Sequence, residues 1–300
     1  KGGSSIPTFF ATAGGPLCTD DASKAKAFND GYGKIGTDSP PSQDQHFRSF
    51  VANTVEEHRS NGLLKRDKWM HHDDFNSATA TSHVRTILRK LRKRAASGPE
   101  GLTNLFLRHV PDASISRLAN FFRLALSAGV FPRVWKLAML FPIPKGSSPP
   151  ETATDMRPIA LLPVLGKVFE RVLHGSLSDW VEEAGILPPE QTAFIKGKGT
   201  SVHLSSILHK VRSNLHGNKF TVSIDIDIKK AYNCVWNDGL IFKMIRLGFP
   251  PPVIRFIDDW LSKRRYFTRL GTSNSETIEY SRGVPQGSVL SCILFNIFLP

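Results

Sequence analysis

Cysteine is scarce in this sequence: the chain has three, Cys18, Cys234 and Cys292, and they lie far apart. An odd number with no recurring spacing indicates neither a disulfide framework nor a zinc site. A reducing compartment is therefore expected, which places the protein inside the cell, in the nucleus, the cytoplasm or both. The sequence also lacks an initial Met and a charged-then-apolar leader, which predicts a fragment without a visible signal peptide.

The sequence also has fewer acidic than basic residues, and it has no long apolar run. Lys and Arg number 39 against 26 Asp and Glu, which leaves a net charge of +13. Such an excess makes a polyanion the expected partner, nucleic acid ahead of an acidic membrane surface. The most apolar stretch, near the C-terminal end, is shorter than the ~18 residues of a membrane span and contains Ser291 and Asn296. No membrane association is expected.

Residues 1–81 contain few apolar side chains and many Gly, Ser, Thr and Asp. This composition predicts a loosely ordered N-terminal extension with one short helix after Asp20 and Asp21. The His and Asp pairs at 71–74 have the chemistry of metal ligands. A solvated turn is the preferred interpretation, because no matching cluster lies elsewhere in the chain.

From residue 82 onward, apolar residues recur at helical spacing. Helices are predicted over 84–95, over 114–128, after Pro163 and from Thr200, and a strand leading into a turn over 135–146. The helix from Thr200 is expected to bury Leu204, Ile207, Leu208, Val211 and Leu215. The basic run at 85–94 is interpreted either as a solvated face or as a track for a nucleic-acid backbone.

One segment combines a strict period of two with two carboxylates. In "FTVSIDIDI" (220–228), apolar residues alternate with Ser223, Asp225 and Asp227. The alternation predicts a strand with one apolar face and one face that carries both aspartates. Carboxylate oxygens suit Mg²⁺ and phosphate chemistry. An amphipathic edge strand with solvated aspartates is the alternative.

A second segment, "GVPQGSVLS" (283–291), predicts a tight turn that leads into a helix. Pro285 and Gly287 favour the turn, and Ser288 is a suitable N-cap. The residues that follow lie on one face of a core helix, Leu290, Ile293, Leu294, Ile297 and Phe298. The first turn of such a helix offers free N–H groups to an anionic ligand.

The segments "DIKKAYN" (227–233) and "GVPQGSVLS" resemble the first and second palm motifs of reverse transcriptases from non-LTR retrotransposons of the jockey and CR1 type. Further segments resemble that family in the family's own order: "SGPEGL" (97–102), "PIPKG" (142–146), "RPIALL" (157–162), "FERVL" (169–173), "KGKGTS" (196–201) and "WLSKRR" (260–265). The similarity covers residues 82–300, with a weaker echo in residues 1–60.

The resemblance implies an α+β fold of the right-hand polymerase type. Residues 82–300 would contain the fingers and an incomplete palm, an antiparallel sheet with packed helices, and no thumb. The implied activity is RNA-directed DNA polymerisation, in which deoxynucleotides are added to a primer 3′-end by two-metal phosphoryl transfer. Its partners would be an RNA template, a DNA primer and deoxynucleoside triphosphates, with Mg²⁺ as the cofactor and Mn²⁺ as an alternative. The oligomeric state does not follow from the sequence.

The resemblance also implies the catalytic and metal-binding residues. Asp227 matches the metal-binding aspartate of the first motif, and the backbone carbonyl of Ile228 would be the accompanying ligand. Asp225 lies on the same predicted strand face, but the family pattern does not require it. Asn233 stands where the family usually has Asp, and Cys292 where it usually has Pro.

The nucleotide-binding residues implied by the resemblance are Lys145, Arg157, Tyr232, Gln286 and Gly287. Lys and Arg at the ends of a predicted hairpin would neutralise the triphosphate. The aromatic ring would lie beneath the incoming sugar and leave no room for a 2′-hydroxyl. The Gln-Gly turn would face the nucleotide.

The template- and primer-binding candidates are basic residues in two short runs. Lys196 and Lys198 precede a predicted helix in "KGKGT", which does not have the Walker spacing. The run Lys263, Arg264 and Arg265 is the second candidate track for a nucleic-acid backbone.

The family's third palm motif, an aromatic-x-Asp-Asp sequence, has a false counterpart at 256–259. "FIDD" has helical spacing and lies before the second motif, so a structural helix is predicted there. No other candidate follows Gln286. The chain is therefore expected to stop before the third motif and, by itself, not to polymerise.

Two other functions remain open at this point. One is a non-catalytic, RNA-binding relic or maturase-like protein on the same scaffold, which would bind RNA with a steep salt dependence. The other is an RNA-templated RNA polymerase, against which Tyr232 and the Pro-Gln-Gly turn argue.

Overall fold

A computed structural model describes residues 6–37, 44–62, 77–146 and 148–299, and it shows a mixed α+β architecture. The helices are α1 Asp21–Thr37, α2 Gln45–Gly62, α3 Thr81–Arg89, α4 Asn104–Arg108, α5 Asp112–Ala128, α6 Val164–Glu183, α7 Thr200–His216, α8 Asn237–Arg246, α9 Pro251–Leu261 and α10 Leu290–Phe298. The strands are β1 Phe9–Phe10, β2 Leu17–Cys18, β3 Leu137–Pro144, β4 Met156–Leu161, β5 Arg264–Leu270, β6 Ser273–Asn274 and β7 Ile278–Tyr280. The predicted α+β class is confirmed. The metal-ligand pattern at 71–74 lies outside the described residues.

The central sheet is built around the β3–β4 hairpin. These two strands are antiparallel, with Ile143 opposite Arg157. Strand β5 lies parallel to β3 on its other side and also pairs with β6 and β7, both antiparallel. Because a parallel neighbour needs a long crossover connection, the chain passes through α6–α9 before it returns to the sheet as β5.

Helix α6 is the centre of the helical core. Its apolar stripe is buried as the sequence predicts: Val168, Phe169, Val172, Leu173, Leu177 and Val181. The Phe169 ring stacks on Phe122 of α5 with ring centroids 4.7 Å apart, and it meets Phe256 of α9 edge-on at 5.3 Å. Full burial of each ring contributes roughly 1.5–3 kcal/mol, so this cluster ties three helices together.

Helix α1 is the helix predicted after Asp20 and Asp21, and it packs against the sheet. Phe28 and Tyr32 are buried, and the helix contacts β5 and β7. A Cβ added at Gly36 would lie 2.5 Å from the Tyr280 ring, so the missing side chain is what permits this close approach. The predicted helix is therefore confirmed, and the loose order predicted for the rest of residues 1–81 stays a prediction. The boundary at residues 81 and 82 stays a prediction.

Most helices lie where the sequence predicts them, but their lengths and burial differ in two places. The helix predicted over 84–95 ends at Arg89, where a run of like charges begins. Helix α7 forms as predicted, yet Leu204, Ile207 and Leu208 are exposed. The prediction of burial was wrong because burial requires an element packed against that face, and the described residues provide none.

The strand predicted over 220–228 is absent from the structure. The segment has no regular secondary structure, and Val222, Ile224 and Ile226 are 83%, 83% and 87% exposed. Alternation alone does not make a strand, because its N–H and C=O groups need a hydrogen-bonded neighbour. No described strand pairs with this segment.

None of the helices within the described ranges combines the length and the apolar content of a transmembrane span.

Candidate nucleotide-binding pocket

A cavity of about 170 Å³ brings together four of the residues that the sequence singles out for nucleotide binding. Lys145, Arg157, Tyr232 and Gln286 all line it, although they come from three distant parts of the chain. The remaining lining residues are Tyr32, Pro158, Lys230, Ala231 and Asn233. The pocket lies where the β3–β4 hairpin, the segment after residue 228 and the turn before α10 meet.

The β3–β4 hairpin holds two cations at one end of the pocket. The backbone N–H of Lys145 donates to the Asp155 carbonyl at 3.0 Å, and its Nζ donates to the Thr154 carbonyl at 2.7 Å. The backbone N–H of Thr152 donates to Asp155, which lowers the pKa of that carboxyl and keeps the turn closed. Arg157 follows directly on β4, so both cations are exposed at the same hairpin end.

Tyr232 forms one wall of the pocket and is fixed from behind. A short 3₁₀ helix at Ala231–Cys234 carries it, and its carbonyl accepts from the Val284 N–H at 2.8 Å. The ring stacks on Phe295 of α10 with centroids 5.1 Å apart, and the hydroxyl donates to Cys292 Sγ at 3.5 Å. Burial raises the pKa of Tyr232, so the phenol stays neutral. The contact of Cys292 with this ring did not follow from the sequence.

The turn that carries Gln286 is tied to β4. Its carbonyl accepts from the Ala160 N–H at 2.8 Å, and the Ser291 hydroxyl donates to the Pro285 carbonyl at 2.8 Å. Gly287 has φ +129, and a Cβ there would lie 2.6 Å from the Ala160 carbonyl oxygen. Only glycine fits this backbone conformation and this space, so the turn can pack closely against Ala160 of β4.

A buried carboxylate supports the same turn from below. Glu170 of α6 accepts through Oε2 from the Ser288 hydroxyl at 2.7 Å and from the Val289 N–H at 2.8 Å. Its Oε1 accepts from Trp260 Nε1 at 3.0 Å. A carboxylate at the first turn of α10 is also favoured by the helix dipole. In the sequence, Glu170 is part of "FERVL" and stands as a charged residue on the buried face of an apolar helix.

Two pocket residues, Tyr32 and Lys230, were missed by the sequence reasoning. Tyr32 reaches the pocket from α1, and its hydroxyl donates to the Met156 carbonyl. Burial raises the pKa of Tyr32 to about 12. This contact joins residues 124 positions apart, and local sequence patterns carry no signal for such a contact. Lys230 matches the lysine of the first motif, and that match was the signal that could have found it.

Asp227 and Ile228 do not line the pocket. They end the exposed segment 220–228, in which Asp225 accepts from the Ser223 hydroxyl at 3.4 Å. Carboxylate and carbonyl oxygens are the donors that Mg²⁺ prefers. Within the described ranges, however, no three His, Cys, Asp or Glu side chains gather into a metal-binding group. The described residues therefore do not complete a magnesium site.

The aspartates of "FIDD" have structural roles, as predicted. They lie on α9, where Asp258 accepts from both Nε and Nη2 of Arg59 at 2.8 Å. Asp259 accepts from the Phe131 N–H at 2.7 Å and pairs with Lys136 at 3.0 Å. Both carboxylates hold the helical core together.

The template- and primer-binding candidates lie at two places on the surface. Lys196 and Lys198 are exposed in the loop before α7, where Lys198 Nζ donates to the Pro189 carbonyl at 3.1 Å. Lys263 is exposed at the start of β5 and Arg265 is half-buried on that strand. The structure does not bring these two groups into the pocket.

Arg264 is a correction to the predicted nucleic-acid track. Its side chain is buried, its Nε donates to the Trp260 carbonyl at 2.7 Å, and its guanidinium lies 3.9 Å from the Trp260 ring centroid. Alternation along β5 turns this residue inward between two neighbours that face outward. A phosphate cannot reach it, so Arg264 is part of the core.

Cations, an aromatic ring and a glutamine thus surround one cavity in a mixed α+β fold. Residues 143–300, more than half of the chain, match the family model "Reverse transcriptase (RNA-dependent DNA polymerase)". The chain therefore belongs to the reverse transcriptase family, and the resemblance to non-LTR retrotransposon enzymes is confirmed.

Similar proteins come from insect mobile elements. The chain is 31% identical over 222 residues, 74% of its own length and 24% of the relative's, to the RNA-directed DNA polymerase from mobile element jockey of Drosophila melanogaster. It is 32% identical over 211 residues to a probable RNA-directed DNA polymerase from transposon BS of the same species, covering 70% of this chain and 23% of the relative. It is 29% identical over 208 residues to the Pol polyprotein of retrotransposable element R2 from Popillia japonica, covering 69% and 28%. The chain thus spans about a quarter of the length of these relatives.

Proposed function

We propose that this chain supplies the nucleotide-binding part of an RNA-directed DNA polymerase of a non-LTR retrotransposon. The observation that carries the proposal is the convergence of Lys145, Arg157, Tyr232 and Gln286 on one cavity. The hairpin and α3–α5 correspond to fingers, and the segment 228–236 with the turn and α10 to the palm. The whole enzyme would copy an RNA template by extending a DNA primer with deoxynucleotides.

Each side chain of the pocket has a distinct part in nucleotide binding. Lys145 and Arg157 neutralise the triphosphate, and arginine can donate two parallel hydrogen bonds to it. The Tyr232 ring, fixed against α10, occupies the space that a 2′-hydroxyl would need. The turn at Gln286 and Gly287, held on β4 and by Glu170, sets the position of the nucleotide relative to that ring.

Metal binding is proposed for Asp227 and the Ile228 carbonyl. Mg²⁺ or Mn²⁺ held there would stabilise the charge that develops on the transferring phosphoryl group. Two-metal transfer needs more carboxylates than the described residues bring together. We therefore expect this chain alone to add no deoxynucleotide to a primer annealed to RNA. Incorporation would contradict the expected inactivity without contradicting the proposed family role.

The test is a binding titration on the chain itself, with dCTP in the presence of Mg²⁺ and with a single-stranded RNA. Arg157→Ala should weaken dCTP binding by about tenfold or more, because one charge-assisted contact is lost. RNA affinity should change less than twofold. Arg123→Ala, which removes an exposed arginine on α5 away from the pocket, is the matched control. Equal losses in dCTP and RNA binding would contradict the assignment of Arg157.

A second candidate function is that of an RNA-binding relic. It is favoured by the net charge of +13 and by the position of Asp227 outside the pocket. In this case the chain would bind RNA with a steep salt dependence but would not bind dCTP measurably. The same titration separates the two functions.

A further inference from the structure

The pocket contains a third cation, Lys230, besides Lys145 and Arg157. Its backbone has φ 56 and ψ 40, the left-handed conformation, which costs a non-glycine residue on the order of 1–2 kcal/mol. The Lys230 carbonyl starts the 3₁₀ helix by accepting from the Asn233 N–H at 2.9 Å. Glycine would adopt this left-handed conformation without strain. A lysine at this position therefore indicates that its side chain has a function.

None of the three pocket cations forms a close ion pair within the described part of the chain, although the pKa of Asp155, lowered mainly by the Thr152 backbone hydrogen bond, is lowered further by the charge of Lys145. Among the described residues, no carboxylate is ion-paired with Lys145, Arg157 or Lys230. Lys230 is half-buried, and it lines the same cavity as Lys145 and Arg157. Like charges held this close repel each other, and a polyanion bound between them would relieve the repulsion. A triphosphate has the required charge and length.

Tyr32 of α1 contacts Lys230 and the residue that precedes Arg157. Tyr32 donates to the carbonyl of Met156, the residue before Arg157. The Nζ atom of Lys230 lies 5.7 Å from the centroid of the Tyr32 ring, within the range of a cation–π contact. Because Tyr32 is 1% exposed, its ring is a fixed support for Lys230.

Helix α1 is itself held against the second motif. The Gly36 carbonyl accepts from the Ser281 N–H at 3.0 Å and from the Arg282 N–H at 3.3 Å, just before the turn that carries Gln286. Near the middle of the helix, Asn29 donates to the Glu276 carbonyl at 2.9 Å. The position of α1 is therefore coupled to both the hairpin side and the turn side of the pocket.

We infer that Lys230 is a third triphosphate-binding residue of the nucleotide pocket and that Tyr32 positions it, which makes α1 a part of the binding site. The inference rests on the proposed function, and it adds a specific contact to it. Lys230 binds the phosphates of the incoming nucleotide beyond the first, together with Lys145 and Arg157. Tyr32 does not touch the nucleotide and acts through Lys230.

The experiment compares dCTP, dCMP and inorganic tripolyphosphate as probes on the full chain with Mg²⁺. Lys230→Gln should weaken dCTP and tripolyphosphate binding by about tenfold and leave dCMP binding within about twofold, because only the outer phosphates lose a contact. Lys230→Arg should retain most of the affinity. Lys229→Gln, at the adjacent exposed lysine outside the pocket lining, is the matched control and should change no affinity by more than about twofold.

Tyr32 is tested by two variants that separate its ring from its hydroxyl. Tyr32→Phe keeps the ring under Lys230 and should stay within about threefold of the wild type for dCTP. Tyr32→Leu removes the ring and should weaken dCTP about as much as Lys230→Gln, with little further loss in the double variant. Additive losses in the double variant would overturn the positioning role. Lys230→Gly, which relieves the backbone strain, replaces Lys230→Gln if the latter unfolds, and should show the same loss.

The outcomes distinguish this inference from the proposed function. If the wild-type chain binds neither dCTP nor tripolyphosphate, both are overturned. If it binds dCTP and Arg157→Ala weakens that binding, but Lys230→Gln behaves like Lys229→Gln, only the role of Lys230 is overturned. If dCMP binding falls as much as dCTP binding, Lys230 contacts the nucleoside part and the triphosphate assignment is wrong.

Discussion

At the scale of single residues, we propose that the choice of sugar depends on the side chain of Tyr232. Its ring stacks on Phe295, and its hydroxyl donates to Cys292 Sγ. Its backbone carbonyl accepts from the Val284 N–H. A ring fixed in this way can exclude a hydroxyl group by its volume, which a mobile ring cannot do. The fixed position comes from α10 rather than from the first motif itself.

Tyr232→Ala should therefore reduce the preference for dCTP over CTP from about tenfold or more to about twofold or less. The variant opens space for the 2′-hydroxyl, so CTP affinity should rise while dCTP affinity stays similar. Titration of both nucleotides measures the ratio. Tyr232→Phe removes only the hydroxyl and should keep the preference. A preference that survives in the Ala variant would assign sugar selection to another residue.

His174 on α6 makes stability depend on pH in the acidic range. Burial lowers the pKa of His174 below its usual 6.5, the adjacent Glu170 charge opposes that shift, and Arg171 reinforces it. A lowered pKa means that protons bind more readily to the unfolded chain. The free energy of unfolding should be highest above pH 6.5 and should fall as the pH drops below that value.

Urea denaturation at pH 8, 6.5 and 5 measures this dependence. His174→Gln should flatten the decline, whereas His109→Gln, at an exposed position after α4, should leave it unchanged. His58, whose pKa is also lowered by burial, contributes in the same direction and is present in both variants. Equal pH dependence in both variants would exclude His174 as a source.

At the scale of elements, the absence of a side chain at Gly36 allows α1 to pack closely against the sheet. A Cβ at Gly36 would lie 2.5 Å from the Tyr280 ring, whereas one at Gly31 would lie 3.4 Å from the nearest neighbour, the Ala153 Cβ. The two positions lie on the same helix and differ mainly in the space around them. They therefore form a matched pair for testing the packing of α1.

Gly36→Ala should lower the free energy of unfolding by about 1–3 kcal/mol, because α1 must move away from β7. It should also weaken dCTP binding, because Tyr32 moves with the helix. Gly31→Ala should change stability by less than about 1 kcal/mol, and its helix propensity favours a gain. Thermal denaturation and dCTP titration of both variants give the comparison. Equal effects of the two substitutions would contradict close packing at Gly36.

The sequence predicted the existence of elements better than their neighbours. Periodicity located α5, α6, α9 and β3, because each of them carries its own apolar pattern. It was wrong about the burial of α7 and about the strand at 220–228, because both depend on an element that lies alongside. A periodic pattern shows that one face of an element is apolar, but it does not show whether another element packs against that face.

In the candidate pocket, too, residues within short motifs were predicted, whereas residues whose roles depend on contacts distant in sequence were not. Lys145, Arg157, Tyr232 and Gln286 were found through short motifs that resemble a family. Tyr32 lay in the weaker echo over residues 1–60 and Glu170 lay within "FERVL", but neither segment indicated a role for these side chains. Arg264 was misassigned because a basic run was interpreted as exposed, although strand alternation turns its middle residue inward.

At the scale of the whole molecule, the net charge of +13 predicts that RNA binding, as proposed for this chain, weakens as the salt concentration rises. For a single strand, each neutralised phosphate contributes about 0.7 to the slope of log affinity against log salt. We propose that the exposed Lys196 contacts one such phosphate. Lys196→Gln should then reduce the slope by about 0.7.

Lys34→Gln, at an exposed lysine on α1, changes the net charge equally and is the control. Its slope should match that of the wild type. Filter binding or fluorescence anisotropy at four or more salt concentrations measures the slopes. If both variants reduce the slope equally, the effect reflects total charge rather than a contact at Lys196.

The attachment of α1 to the far end of the chain also sets the order of events during synthesis. Asn29 bonds to Glu276, 247 positions later, so α1 cannot complete its contacts with the sheet until that residue has left the ribosome. At 5–20 residues per second, this wait lasts roughly 12–50 s. The β3–β4 hairpin can form earlier from local contacts, and Tyr32 can then already contact Met156 on that hairpin. A ribosome that stalls before Glu276 therefore leaves α1 only partly docked and the pocket without the turn that carries Gln286.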